Sequence, residues 1–227
     1  MPLVTLERHP PIRRVHFNNG KRNVLTPEAI AALTEALAPD AEAPVVILSG
    51  RPDGFSAGLD NATLAASARE REGLLAAMAE LLVSTLLGPT RVVAICEGHA
   101  VAAGAMMLLV SDVRLGVPGS HKLGFTEPGL GMPLPELPAL LARMRLDLRR
   151  LHELAVLGRI VGPQEAAECG FLDEVVAPEE LERLALERAQ ALAALSEVGY
   201  QGLLRSVWGP TLGRLEEIAV QARGTPR

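Results

Sequence analysis

The chain has 227 residues, of which 48% are hydrophobic, and this is enough to form one sizeable core. Its formal net charge of −5 argues against nucleic acid or an anionic membrane as the main partner. The two cysteines, Cys96 and Cys169, give neither a disulfide framework nor the spacing of metal ligands. The amino terminus shows no signal-peptide core, and the apolar run 101–110 is too short to span a bilayer, so we expect a cytoplasmic protein.

The first predicted elements are a hairpin and a capped helix. Residues 3–8 and 12–17 alternate apolar with polar side chains on either side of a Pro-Pro turn, which is typical of two half-buried strands. Residues 26–28 are Thr-Pro-Glu, which supplies an N-cap, a first-turn proline and an acidic first-turn side chain. These signals predict a helix that ends near Ala38.

A buried strand followed by a loop of small residues then occurs twice. Residues 44–50 form a continuous apolar run, typical of a strand covered on both faces, and lead into the glycine-rich loop 51–60. Residues 91–96 form a second such strand, which leads through another loop of small residues into an apolar helix over 101–110. A helix is predicted to begin near Asn61, and the helical stretch over 65–87 joins the two units. This alternation predicts parallel strands with right-handed crossovers, and therefore an α/β fold.

Both loops follow the carboxyl ends of their strands, which is where parallel sheets bind ligands. Backbone N–H groups in two such loops are able to face a single oxygen atom, as in an oxyanion hole. The apolar helix also fits a purely packing role, and Asp60 in the first loop fits the role of a helix N-cap better than that of a catalytic group.

Charged side chains on two other loops are candidates for function. Lys21 and Arg22 form a basic pair before the first helix, either as a solvated turn or as a contact for phosphate. Glu127 is the only charged residue from Leu123 to Leu134. Burial would raise its pKa and make it a proton carrier, whereas on an exposed turn it would be an ordinary surface group. Glu136 is a weaker candidate.

The remaining chain is predicted to be mainly helical, with short strands. The predicted strands are 113–117 and 171–176, and the predicted helices are 137–145, 148–157, 162–170, 178–195 and 201–222. The last helix is predicted to be interrupted at Gly209 and Pro210. The final helices are rich in Leu, Ala and Arg, which favours a packing or subunit-contact role.

Together these segments resemble the crotonase superfamily, also called the enoyl-CoA hydratase/isomerase superfamily, over nearly the whole chain. The resemblance is carried by seven segments in the family's order and spacing: 21–26, 55–60, 97–104, 111–112, 123–127, 157–166 and 169–176. It implies a ββα spiral over 1–177, followed by a helical oligomerisation region over 178–227. It also implies a homotrimer or a dimer of trimers, for which the carboxyl-terminal helices offer an apolar face from Leu181 to Leu195.

The resemblance implies an acyl-CoA thioester as substrate, with coenzyme A bound as part of that substrate and no separate cofactor or metal. The N–H groups of Leu59 and Ala103 would bind the thioester oxygen, because developing enolate charge would meet preorganised donors there. Four further residues are expected along the coenzyme A portion: Lys21, Arg22, Val24 and Ala57.

Departures from the family pattern bear on the reaction. Hydratases of the family usually carry a glutamate where this chain has Met106, whereas their second glutamate matches Glu127. Adding water needs both carboxylates, but moving a double bond needs one base. The resemblance therefore implies an isomerase that converts Δ3-enoyl-CoA to Δ2-enoyl-CoA, with an enoyl-CoA hydratase of fatty-acid β-oxidation and a catalytically silent acyl-CoA binder as alternatives. Ala102-Ala103 replaces a common glycine pair, which predicts a narrower acyl pocket.

As the single base, Glu127 needs a poorly hydrated setting. The sequence places it between the apolar residues Phe125, Leu130 and Met132, so its pKa is expected to be raised.

Overall fold

Two sheets organise the computed structural model, which describes residues 2–131 and 134–224. The strands of the larger sheet are β1 Val4–His9, β2 Ile12–Phe17, β3 Val45–Ser49, β5 Arg91–Cys96, β7 Val113–Gly116 and β9 Glu174–Val175. The strands of the smaller sheet are β4 Gly54–Ser56, β6 His99–Val101 and β8 Leu123–Gly124. Their spatial orders are β1-β2-β3-β5-β7-β9 and β4-β6-β8.

Helices connect and cover these sheets. Within the described residues the α-helices are α1 Pro27–Ala36, α2 Asn61–Ala65, α3 Ala68–Leu87, α4 Ala103–Leu109, α5 Glu136–Arg145, α6 Pro163–Cys169, α7 Pro178–Ala193 and α8 Glu197–Gly224. A short 3₁₀ helix occupies Pro128–Leu130, and a π-helix occupies His152–Val156. No helix in the described part of the chain has the length and apolarity needed to cross a membrane.

The predicted hairpin and parallel sheet are confirmed. β1 and β2 pair antiparallel, and all other neighbouring strands of the larger sheet pair parallel. After each of β3, β5 and β7 the chain adds one short strand to the smaller sheet. This repeated step from a long strand to a short one places the ends of β3 and β5 beside each other, since β3 and β5 are neighbours.

Side chains alternate between two cores because successive strand residues point to opposite faces of the sheet. Val45 and Ile47 of β3 pack with Leu181 and other side chains of α7 on one face. Val46 and Leu48 belong to the larger core on the other face, which includes α1, α3 and α4. This two-sided burial explains the continuous apolar runs in the sequence.

Three predicted helices differ in the structure. The helix predicted over 65–87 is broken, because Ser67 caps a new helix: its hydroxyl accepts from the Glu70 N–H at 3.2 Å, and the Glu70 carboxylate accepts from the Ser67 N–H at 3.1 Å. The helix predicted over 148–157 is limited to the π-helix. The interruption predicted at Gly209 and Pro210 is wrong, since α8 continues through both residues.

Tertiary packing stabilises α8 across its proline. Leu212, Leu215 and Ala219 are buried in the larger core, so the second half of α8 is anchored along one face. Arg214 also donates two hydrogen bonds of 2.7 Å to the carboxylate of Glu136 at the start of α5. These contacts hold the second half of α8 against the core and α5 beyond a proline that would interrupt an isolated helix.

We expect Leu215→Ala to lower the free energy of unfolding by about 2–5 kcal/mol, because Leu215 is fully buried. The matched control is Leu148→Ala, which lies outside α8 and the predicted subunit contact, removes a side chain that is 68% exposed and should change stability by less than about 0.5 kcal/mol. Urea denaturation of both variants measures the difference. Equal losses would contradict the packing described for α8.

Candidate functional site

The loop after β4 carries the Leu59 N–H, which points away from the segment around Leu25 that pairs with this loop. Leu25 donates its N–H to the carbonyl of Gly58 at 2.8 Å and accepts from the N–H of Asp60 at 3.1 Å. Because alternate residues of an extended chain face opposite sides, the Leu59 N–H points away from Leu25. Within the described residues it donates to no protein acceptor.

The loop before α4 presents a second free donor. Ala103 is the first residue of α4, so its N–H has no intrahelical partner, and no side chain caps it. The preceding Ala102 has φ of +51° and ψ of −126°, a conformation that costs about 1–3 kcal/mol for a residue with a side chain. A hydrogen bond of 2.9 Å from the Ala102 N–H to the carbonyl of Gly124 holds it there.

These two loops meet at Gly58. A Cβ atom on Gly58 would lie 2.9 Å from the Cβ of Ala102 and 3.2 Å from the amide nitrogen of Ala103. Gly58 also has φ of +90°, which side chains disfavour, and its N–H donates to the Ser56 hydroxyl at 3.1 Å. The approach of the two loops therefore depends on the absence of a side chain at this position.

A second close contact fixes α4 against β4. A Cβ atom on Gly104 would lie 2.3 Å from the carbonyl oxygen of Ser56, a distance that no real side chain adopts. Ser56 is 2% exposed, and the sequence reasoning did not single it out. The small residues that predicted a bare loop thus serve backbone packing, and that packing brings the Leu59 and Ala103 segments together.

Glu127 is buried at the start of the 3₁₀ helix and is 8% exposed. One carboxylate oxygen, Oε2, is fully buried and has no hydrogen-bond partner among the described residues. Burial raises the pKa of Glu127, and the N–H groups of Glu127 and Thr126 oppose that shift only in part. The expected direction of the pKa shift is confirmed.

The apolar neighbours expected around Glu127 contribute unequally. Phe125 is fully buried and packs edge-on against Phe171, with ring centroids 5.6 Å apart. Leu130 is 68% exposed, so it shields little. Met132 lies outside the described residues.

Other carboxylates are held in different ways. Glu136 is paired with Arg214, and this pairing lowers its pKa. Glu97 directly follows β5, and by strand alternation its side chain lies on the same face as Val93 and Ile95, which packs against α7. Burial there and the negative charge of Glu182 raise the pKa of Glu97. Asp60 accepts from the Thr63 N–H at 2.9 Å, which lowers its pKa and confirms its role as the N-cap of α2.

The residues predicted along the coenzyme A portion lie on paired loops. Lys21 and Arg22 are exposed, and Val24 and Ala57 are half-buried. The N–H of Ala57 donates to the carbonyl of Arg22 at 3.0 Å, so the basic loop is joined directly to the loop that carries Leu59. Neither basic side chain forms an ion pair with a described residue.

Away from this site, a groove of about 410 Å³ lies between the first half of α8 and the carboxyl end of α5, beside Asp112. Its polar lining includes Asp112, Arg145 and Tyr200, and it contains none of the predicted site residues. The described part of the chain holds no group of three His, Cys, Asp or Glu side chains that could bind a metal ion.

Comparison with known proteins gives consistent matches. The family model for enoyl-CoA hydratase/isomerase matches residues 7–217. A putative enoyl-CoA hydratase from Thermus thermophilus is 32% identical over 183 residues, which are 76% of this chain and 69% of that protein. The mitochondrial enoyl-CoA hydratase domain-containing protein 3 of Danio rerio is 30% identical over 189 residues, or 79% of this chain, and the match spans only 64% of that relative.

Among solved structures, an enoyl-CoA hydratase/isomerase family protein from Pseudomonas syringae superimposes with a TM-score of 0.91 and 32% identity. The superposition covers 98% of this chain and 97% of that one. The α/β fold with a helical carboxyl-terminal region is therefore confirmed.

We expect Gly58→Ala to destabilise the protein more than Gly20→Ala. Both positions have positive φ, which costs a side chain about 1–2 kcal/mol, but a Cβ at Gly20 would have no heavy atom within 4 Å. The excess loss at Gly58, measured by urea denaturation, reports the steric contact with Ala102 and Ala103. Equal losses would contradict the close approach of the two loops.

We expect Glu127→Gln to be more stable than the wild type at neutral pH. The folded-state pKa of Glu127 is raised, so the wild type loses stability as pH rises from the unfolded value through the folded value. Below that window the Glu127 carboxyl is protonated in both the folded and the unfolded state, and the difference in stability between the variant and the wild type disappears.

The matched control is Glu136→Gln, for which the sign is opposite. The pKa of Glu136 is lowered, so its contribution is present above the unfolded value and is lost as pH falls. This variant should be less stable than the wild type at neutral pH. Unfolding curves at neutral and acidic pH measure both differences, and the same sign for both variants would contradict the assigned environments.

Proposed function

Because the chain belongs to the enoyl-CoA hydratase/isomerase family, we propose that it is an enzyme that acts on acyl-CoA thioesters and moves a double bond from the 3-position to the 2-position of an enoyl-CoA. The observation that carries the proposal is a single buried carboxylate. Glu127 has a raised pKa and an oxygen without a partner among the described residues, and it follows β8, which pairs with β6.

In the proposed mechanism, the N–H groups of Leu59 and Ala103 bind the thioester oxygen. Charge develops on this oxygen when a C2 proton leaves, so two donors held by the backbone stabilise the enolate and acidify that proton. Both donors lack protein acceptors within the described residues, which supports this role.

Glu127 then transfers the proton. Its carboxylate removes a proton from C2 of the 3-enoyl thioester, giving a dienolate, and returns the proton to C4. The double bond then lies between C2 and C3, and the carboxylate is regenerated. A raised pKa suits this role, because a base nearer neutrality accepts and returns a proton more readily.

Isomerisation is favoured over hydration because a second carboxylate is lacking at the position where hydratases carry one. Met106 occupies it on α4, is 6% exposed and has no proton to exchange. Glu136 is committed to Arg214, and Glu97 faces α7 on the other side of the sheet. The word hydratase in the names of the Thermus and Danio relatives favours hydration as the second candidate.

We propose that the coenzyme A portion lies along the paired loops of residues 21–25 and 57–60. The exposed cations Lys21 and Arg22 would contact its phosphates, with Val24 and Ala57 beside the pantetheine.

Assembly into trimers or dimers of trimers is proposed on the carboxyl-terminal helices. Much of the apolar face expected for this contact from Leu181 to Leu195 is covered, since Leu181, Ala185 and Ala189 pack against the larger sheet. The contact is therefore proposed on exposed apolar side chains of α8, such as Val198 and Val207.

A panel of 2-enoyl, 3-enoyl and saturated acyl-CoAs tests the proposed reaction. The wild type should isomerise 3-enoyl-CoA faster than it hydrates 2-enoyl-CoA. Glu127→Gln should lower turnover by about 10²–10⁴-fold, the usual contribution of a general base, while the Kd for saturated acyl-CoA is retained.

Glu136→Gln serves as the control carboxylate and should keep its turnover. Hydration as fast as isomerisation would favour the hydratase. Binding of acyl-CoA without turnover of any member of the panel would identify a silent binding protein.

A further inference from the structure

Asn23 lies on the loop between β2 and α1, with its side chain fully buried. We propose that Asn23 is a positioning residue that aims the Leu59 amide at the substrate oxygen. The inference rests on the proposed function for the identity of that oxygen, but the orientation of the amide is a property of this chain alone.

The side chain of Asn23 joins three segments. Its Nδ2 donates to the carbonyls of Phe17 at 3.0 Å and Phe55 at 2.8 Å, the last residue of β2 and the middle residue of β4. Its Oδ1 accepts from the N–H of Asn19 at 2.6 Å. Asn19 in turn donates its own Nδ2 to the carbonyl of Val24 at 2.9 Å. The loop is thus fixed to the end of β2 in the larger sheet and to β4 in the smaller sheet.

The residues on either side of Asn23 pair with the loop that carries Leu59. The carbonyl of Arg22 accepts from the Ala57 N–H, and Leu25 bonds to both Gly58 and Asp60. Since Leu59 lies between those two partners, the direction of its N–H follows from this pairing. A shift of residues 22–25 would therefore rotate the Leu59 donor.

Two requirements explain asparagine at this position. The backbone has φ of +48°, which asparagine tolerates better than most side chains. The surrounding carbonyls need a buried donor, and the Asn19 N–H needs an acceptor. A single amide side chain supplies both the donor and the acceptor. Aspartate would place a carboxylate against two carbonyl oxygens, and glycine would satisfy only the backbone.

The position of the donor matters because an oxyanion donor acts only within a narrow distance of the oxygen. The Asn23 side chain is buried and touches neither the reacting atoms nor coenzyme A, but its neighbours Arg22 and Val24 are expected to contact the coenzyme. Its loss should therefore lower turnover more than it weakens binding of the coenzyme. This split separates positioning from general structural support.

Asn23→Gly is the test variant, because glycine keeps the positive φ and removes only the side-chain hydrogen bonds. The isomerisation kcat should fall about tenfold to a hundredfold, less than the roughly 10²–10³-fold typical of losing a whole donor. The Kd of S-butyl-CoA, a thioether without the carbonyl oxygen, should rise by a smaller factor than kcat falls, because this ligand does not use the Leu59 donor. The Leu59 amide cross-peak in a proton–nitrogen NMR spectrum should shift.

The matched control is Asn18→Ala, which removes a neighbouring asparagine that contacts Gly20 and Arg51 but not the strand ends. It should leave kcat and the Leu59 cross-peak unchanged. If Asn23→Gly fails to fold, Asn19→Ala is the second test variant. It removes the hydrogen bond to the Val24 carbonyl and should give a smaller loss of kcat and a smaller shift of the Leu59 cross-peak.

An unchanged Leu59 cross-peak in folded Asn23→Gly would overturn the inference, as would equal losses of kcat and of S-butyl-CoA affinity. A wild type without isomerase activity would instead refute the proposed function. In that case the NMR comparison of Asn23→Gly with Asn18→Ala still decides whether Asn23 orients Leu59.

Discussion

The close approach of two backbone segments at Gly58 is the constraint on which the rest of the candidate site depends. Hydrogen-bond donors taken from the backbone cannot be moved by exchanging side chains, so their placement must come from the packing of the segments that carry them. Gly58 permits contact with Ala102 and Ala103, and Gly104 permits contact between α4 and Ser56. The strained φ of Ala102 shows that the surrounding structure, rather than local preference, sets this geometry.

The environment of Glu127 reflects a conflict between stability and reactivity. A buried carboxylate oxygen without a partner among the described residues is unfavourable, because burial removes the charge from bulk solvent and none of these residues donates a hydrogen bond in its place. The same desolvation raises its pKa and leaves the oxygen free for a proton. Glu136 shows the opposite arrangement, since its pairing with Arg214 joins α5 to α8 and favours the charged form. Two glutamates nine positions apart therefore have different chemistry because their surroundings differ.

Much of the fold could be predicted from local patterns. Continuous apolar runs predicted β3 and β5 because strands covered on both faces have no polar side, and alternation predicted the hairpin. The caps of α1 and α2 at Thr26 and Asp60 were also predictable, since a side-chain oxygen satisfies the free N–H groups of the first turn. The order of short motifs along the chain was sufficient to identify the family.

The sequence by itself determined the strands of the larger sheet, most helix starts, the family and the candidate residues, because these depend on neighbours in the chain. The short strands β4, β6 and β8 lie in segments predicted as loops. Only the tertiary structure decided which candidates are buried and where backbone donors point, because burial and pairing join residues far apart. The exposed or buried state of Glu127 was open in the sequence, as was the role of Asn23, whose partners include Phe55. The continuity of α8 through Pro210 likewise depends on contacts of Leu215 with the core, which no local pattern encodes.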